Sequence, residues 1–143
     1  MAKFPKILFV DDDRDFLMGQ AAFFGARGYQ VTTLERAQGA LEAILEQQPD
    51  VIVLDLMMEH YDSGFLLSRR IRQESSLASV PIIMLSGVAG ATGHKLAGEL
   101  AALKEWVKLD VFLDKPVTGA QLLKVVEERL AARGEASAEA RSA

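Results

Sequence analysis

The chain has 143 residues, 50% hydrophobic and 25% charged, the composition of one globular domain long enough to bury a core. Its formal net charge of −4 argues against direct DNA binding, and the lack of cysteine excludes disulfides, thiolate chemistry and cysteine-ligated metals. The opening "MAKFPKILFV" has no signal-peptide pattern, and no segment reaches the roughly 20 apolar residues of a membrane span, so a cytoplasmic domain without membrane contact is expected.

The first apolar run, "KILFV" (6–10), predicts a strand, and Asp11, Asp12 and Asp13 follow it directly. Leu17, Ala21 and Phe24, spaced i, i+4, i+7, predict a helix that Gly25 and Gly28 stop. "YQVTTL" (29–34) predicts a second strand, and Leu41, Ile44, Leu45 and Gln48 mark a second helix closed by Pro49. "VIVLD" (51–55) predicts a third strand whose last residue is the carboxylate Asp55. A third helix follows Gly64, with Phe65, Leu66, Leu67 and Ile71. "PIIMLS" (81–86) predicts a fourth strand, and the small residues of "GVAGATGHK" after it read as an extended loop. Leu96, Leu100, Leu103 and Val107 form the stripe of a fourth helix. "DVFLD" (110–114) predicts the fifth strand and runs into Lys115 and Pro116. Thr118 with Gln121 three residues on is a capping-box pattern for a fifth helix, whose apolar side is Leu122, Val126 and Leu130. "RGEASAEARSA" lacks large apolar residues, so the expected organisation is a domain over 1–132 and a disordered tail over 133–143.

Strand runs of nearly unbroken Ile, Leu and Val fit strands buried on both faces, and their alternation with helices predicts an α/β fold. The expected architecture is a doubly wound five-stranded parallel sheet flanked by five helices. Ligand crevices in such sheets lie beyond the carboxyl ends of the strands. Reading those ends gives Asp11, Asp12 and Asp13, then Asp55, then Ser86, then Lys115. Converging carboxylates repel unless a cation sits among them, and a hard divalent ion such as Mg²⁺ takes one or two carboxylates plus waters and phosphate oxygens. A carboxylate is also a nucleophile toward phosphorus, with a hydroxyl and an ammonium available to stabilise the transferring group. Taken singly, each residue has a blander reading. Acidic runs commonly cap the next helix, a lysine before proline is commonly a surface residue, and a strand-end serine commonly forms a turn. Those readings give no reason for all four residue types to fall at the ends of the appropriate strands.

The set "ILFVDDD", "VIVLDLMM", "IIMLSG" and "VFLDKPV", in this order over about residues 5 to 132, closely resembles the receiver domain of two-component response regulators. The resemblance implies a flavodoxin-like (βα)5 fold of the chemotaxis-regulator type. It implies that Asp55 accepts a phosphoryl group from a sensor histidine kinase or histidine phosphotransfer protein, with Ser86 and Lys115 completing the catalytic set. Asp11, Asp12, Asp55 and the backbone carbonyl of Met57 match the Mg²⁺ ligands. Ser86 and Phe112 match the switch pair, and Lys115-Pro116 matches a cis peptide. Phe112 has no hydroxyl, so its inward state is governed by packing alone. The protein expected is a stand-alone regulator, not an enzyme acting on a separate substrate. Its output is contact with a downstream protein of unknown identity, and phosphorylation-dependent homodimerisation stays open.

Several residues depart from the pattern. Glu59 stands where proline is usual, and "EHYDSG" is one residue longer than usual. The segment from Ser86 to Lys115 is also long; within it Trp106 reads either as a docking aromatic or as a cover on the core edge. Neither His60 nor His94 has a second histidine at metal-ligand spacing. Met57 and Val88, each two residues beyond a site residue, are apolar and unable to orient an attacking water, which predicts slow hydrolysis of the phosphorylated form. Two other functions compete. An aspartyl-phosphate phosphatase of the haloacid dehalogenase type needs a second aspartate two residues after the nucleophile, where this chain has Met57. A phosphorylation-independent interaction module would have no need of the complete phosphotransfer set.

Overall fold

The computed structural model describes residues 4–56, 63–86 and 111–142. Strands β1 (Lys6–Val10), β2 (Gln30–Leu34), β3 (Val51–Asp55), β4 (Ile82–Ser86) and β5 (Val111–Asp114) form one sheet in the order β2-β1-β3-β4-β5. Every neighbouring pair is parallel. The described helices are α1 (Arg14–Gly25), α2 (Ala40–Gln47), α3 (Ser63–Gln73) and α4 (Gly119–Ser142), with a 3₁₀ turn at Ser75–Leu77. The helix expected over Leu96–Val107, the loop before it, Val88, His94 and Trp106 lie outside the described residues, as do Met57, Glu59 and His60. No helix among the described residues is long and apolar enough to cross a membrane.

The unbroken apolar strands have a direct structural cause. Side chains alternate across a strand, so a sheet covered on both faces needs apolar residues at every position. Leu8, Val10, Ile52, Leu54, Ile82 and Met84 point to one face, where they pack with Ala40 and Ile44 of α2 and Leu67 and Ile71 of α3. Their neighbours Ile7, Phe9, Val51, Val53, Ile83 and Leu85 point to the other, against Leu17 and Phe24 of α1 and Leu122 and Val126 of α4. All of them are buried, and each one larger than alanine contributes roughly 1.5–3 kcal/mol relative to exposure. The edge strand β2, "QVTTL", is only partly covered, and its threonines suit that position.

The helix ends follow local chemistry. Asp13 caps α1 by accepting from the Phe16 amide at 3.1 Å. Gly28, at φ +90°, ends the turn after α1, while Gly25 is still helical. The capping box expected at the last helix is present. The Thr118 amide donates to Gln121 Oε1 at 2.9 Å, and the Gln121 amide donates to Thr118 Oγ1 at 3.1 Å.

Two local expectations change. Gln48 is not on the α2 stripe but beyond its end, left-handed at φ 49°, with its Nε2 donating to Leu45 O at 2.8 Å. Pro49 disfavours right-handed helical geometry in the residue before it, which accounts for the stop. Leu66 faces outward, while Leu67 and Ile71 supply the buried side of α3. The backbone of α4 is described as far as Ser142. Alanine, glutamate and arginine are strong helix formers, so a lack of large apolar residues does not by itself prevent helix. Arg133 at the start of this stretch donates to Asp50 O at 3.2 Å, tying α4 to the turn before β3.

Candidate functional site

The strand order reverses between β1 and β3, and that is where the acidic residues meet. Val10 pairs with Leu54, so Asp11 and Asp55 emerge side by side from two buried strands. Asp11 is 1% exposed and Asp55 6%, whereas Asp12 is exposed. Oxygens of Asp11, Asp12 and Asp55 lie within 4.8 Å of one another. Asp13, the third acid of the run, is spent on the α1 cap. The capping reading of "DDD" thus falls on Asp13, while Asp11 and Asp12 are the members of the run that lie beside Asp55.

β5 brings the balancing cation. Lys115 Nζ donates to Asp11 Oδ2 at 2.8 Å and to Asp55 Oδ2 at 3.4 Å. Its nearer partner is the acidic pair rather than the strand-end Asp55. The other oxygen of Asp11 accepts from the Asp13 amide at 2.9 Å, so this carboxylate is held on both sides. Burial opposes the charged lysine, but the hydrogen bond to Asp11 and the charges of Asp55 and Asp11 outweigh it and raise the ammonium above its ordinary range. Lys115-Pro116 is cis. Among the described residues, three carboxylates against one ammonium leave excess negative charge in a cluster of hard oxygen ligands, which fits a divalent cation.

The remaining expected residues are placed by backbone register. Ser86 ends β4 opposite Asp114, the residue before Lys115. Phe112 lies opposite Met84 on β5 and is half-buried against the core on the α2–α3 face. Met57, expected to offer its carbonyl, lies outside the described residues.

Two residues of the site escaped sequence reading. Gly64 approaches β3 so closely that a Cβ there would lie 2.7 Å from Leu56 Cα and overlap the Asp55 carbonyl oxygen. Its amide donates to Leu56 O at 2.9 Å. A lone glycine ahead of a helix signals only a boundary, and contact with β3 is a tertiary fact. Phe16, in the first turn of α1, has its ring centroid 5.1 Å from Lys115 Nζ. In sequence it is one more apolar residue on an amphipathic helix.

Comparison with known proteins agrees with this geometry. Residues 7–127 match the response regulator receiver domain. The transcriptional regulatory protein GltR of Pseudomonas aeruginosa is 32% identical over 124 residues, covering 87% of this chain and 48% of that protein. The transcriptional regulatory protein CseB of Streptomyces avermitilis is 34% identical over 137 residues, covering 96% and 54%. The chain thus spans about half the length of these curated relatives. Among solved structures, the chemotaxis response regulator CheY4 of Vibrio cholerae superposes with a TM-score of 0.74 at 25% identity, covering 89% of this chain and 99% of that one.

Proposed function

The chain belongs to the response regulator receiver domain family, the phosphorylation modules of two-component signalling, and on that premise we propose that Asp55 is its phosphoacceptor. The observation that carries this reading is the meeting of Asp11, Asp12, Asp55 and Lys115 at the ends of β1, β3 and β5.

A carboxylate oxygen of Asp55 attacks the phosphorus of a phosphohistidine on a kinase or phosphotransfer protein. The new O–P bond forms as the N–P bond breaks, and the electron pair returns to the imidazole nitrogen. Asp11, Asp12 and Asp55, with the Met57 carbonyl by motif match, would hold Mg²⁺, whose charge offsets that of the phosphoryl oxygens when bound. Lys115 then pairs with the transferred group, and Ser86 turns its hydroxyl toward it. Phe112 responds by packing further inward, which remodels the surface beside β5 and shifts a two-state population read by a downstream protein. The chain promotes its own acylphosphate formation and hydrolysis and turns over no separate substrate.

Incubation with ³²P-labelled acetyl phosphate and Mg²⁺ tests the assignment. Wild type is expected to become labelled, and both Asp55→Ala and wild type in excess chelator are expected to stay unlabelled. Label on a folded Asp55→Ala equal to that on wild type would overturn it.

A further inference from the structure

Four contacts join Lys115 to the first turn of α1 in a closed circuit. Lys115 Nζ donates to Asp11 Oδ2 at 2.8 Å, and Asp11 Oδ1 accepts from the Asp13 amide at 2.9 Å. Asp13 Oδ1 accepts from the Phe16 amide at 3.1 Å, and the Phe16 ring lies under Lys115 Nζ at 5.1 Å. The ring is not free to drift. Phe9, fully buried on β1, meets it edge-on at 6.4 Å and 77°.

Only one of these links to the ammonium does not depend on a carboxylate charge. Lys115 is held here by Asp11 and Asp55, two residues that the proposed function also assigns to a cation. Once those carboxylates are shared with a dication, their pull on the lysine weakens and the ammonium feels repulsion instead. A ring quadrupole at about 5 Å keeps attracting it, because the negative face of the ring is not neutralised.

We propose that Phe16 is a positioning residue for phosphoryl transfer. It retains the Lys115 ammonium beside Asp55 while Asp11, Asp12 and Asp55 are neutralised, so the lysine is in place when the phosphoryl group arrives. This rests on the reading of Asp55 as phosphoacceptor.

The test compares wild type, Phe16→Leu, Phe16→Trp, Lys115→Met and the Phe16→Leu/Lys115→Met double variant, each checked for native melting. The first readout is the initial rate of phosphorylation by acetyl phosphate at saturating Mg²⁺. Phe16→Leu is expected to be slower by about three- to tenfold, Phe16→Trp close to wild type, and Phe16→Leu without further effect in the Lys115→Met background. A rate for Phe16→Leu equal to wild type overturns the proposal. So does a Phe16→Trp as slow as Phe16→Leu, or an undiminished Phe16→Leu effect without the lysine.

The second readout needs no phosphorylation. The Lys115 ε-methylene protons, assigned by their loss in Lys115→Met, are expected upfield of free lysine both before and after Mg²⁺ addition in wild type, but not in Phe16→Leu. Their return to the free-lysine position in wild type on adding Mg²⁺ would overturn the role of the ring. If wild type takes no label from acetyl phosphate, the Asp55 assignment fails, while the proton shifts still report on the Phe16–Lys115 contact.

Discussion

At Gly64 the chain passes against the backbone of Asp55 and Leu56 with no space for a side chain. A methyl group there would meet backbone atoms, which cannot swing aside as a flexible side chain would. Gly64→Ala is therefore expected to lower stability by about 2 kcal/mol or more, although alanine is the better helix former, and to weaken phosphoryl acceptance with it. Urea midpoints and the acetyl phosphate assay measure the two effects. Lys115 shows what a residue's type alone leaves undecided. A lysine before a proline is unremarkable in sequence, yet its partners, Asp11 and Asp55, stand 104 and 60 positions away. Its raised pKa also sets the sign of a pH dependence. The stabilisation it contributes is complete below the unfolded lysine value of about 10.4 and is lost only as pH rises through the higher folded value.

Among the elements, α1 does the most varied work. Its first turn supplies the Asp13 cap and the Phe16 ring, and its last turns pack against α4 and the sheet. Phe23 on α1 sits where a Cβ of Gly119, the first residue of α4, would be, with ring atoms 2.7–2.8 Å away. The Arg27 guanidinium stacks over the same ring at 3.5 Å. Gly119→Ala is expected to cost about 1–3 kcal/mol in denaturant unfolding, and distinctly less in a Phe23→Leu background. The patterns of the described helices were legible because an apolar stripe and a cap are local properties, as Thr118 and Gln121 illustrate. The position of Gln48 was not legible from the stripe alone, since glutamine fits an amphipathic pattern as well as a left-handed cap.

For the molecule as a whole, one sheet carries two cores, and each strand serves both. Leu54 faces the α2–α3 layer and Phe9 the α1–α4 layer, both fully buried. Truncating either side chain should therefore shift one shared transition rather than unfold one face. Leu54→Ala is expected to cost about 2–5 kcal/mol and Phe9→Ala about 3–5 kcal/mol, with secondary and tertiary circular dichroism signals lost together. The five strands, the burial of β1, β3 and β4 on both faces and the acidic, hydroxyl and cationic residues at the strand ends were readable from the chain. Alternation of side chains across a strand, and the charge each residue carries, are properties of the sequence itself. What the tertiary structure decided is which of those groups touch. The order β2-β1-β3-β4-β5 sets Asp11 beside Asp55 and swings β5 round to deliver Lys115, turning the ammonium toward Asp11 first and over the Phe16 ring. Such contacts depend on distances of a few ångströms between residues far apart in the chain. Only the packed fold fixes those distances.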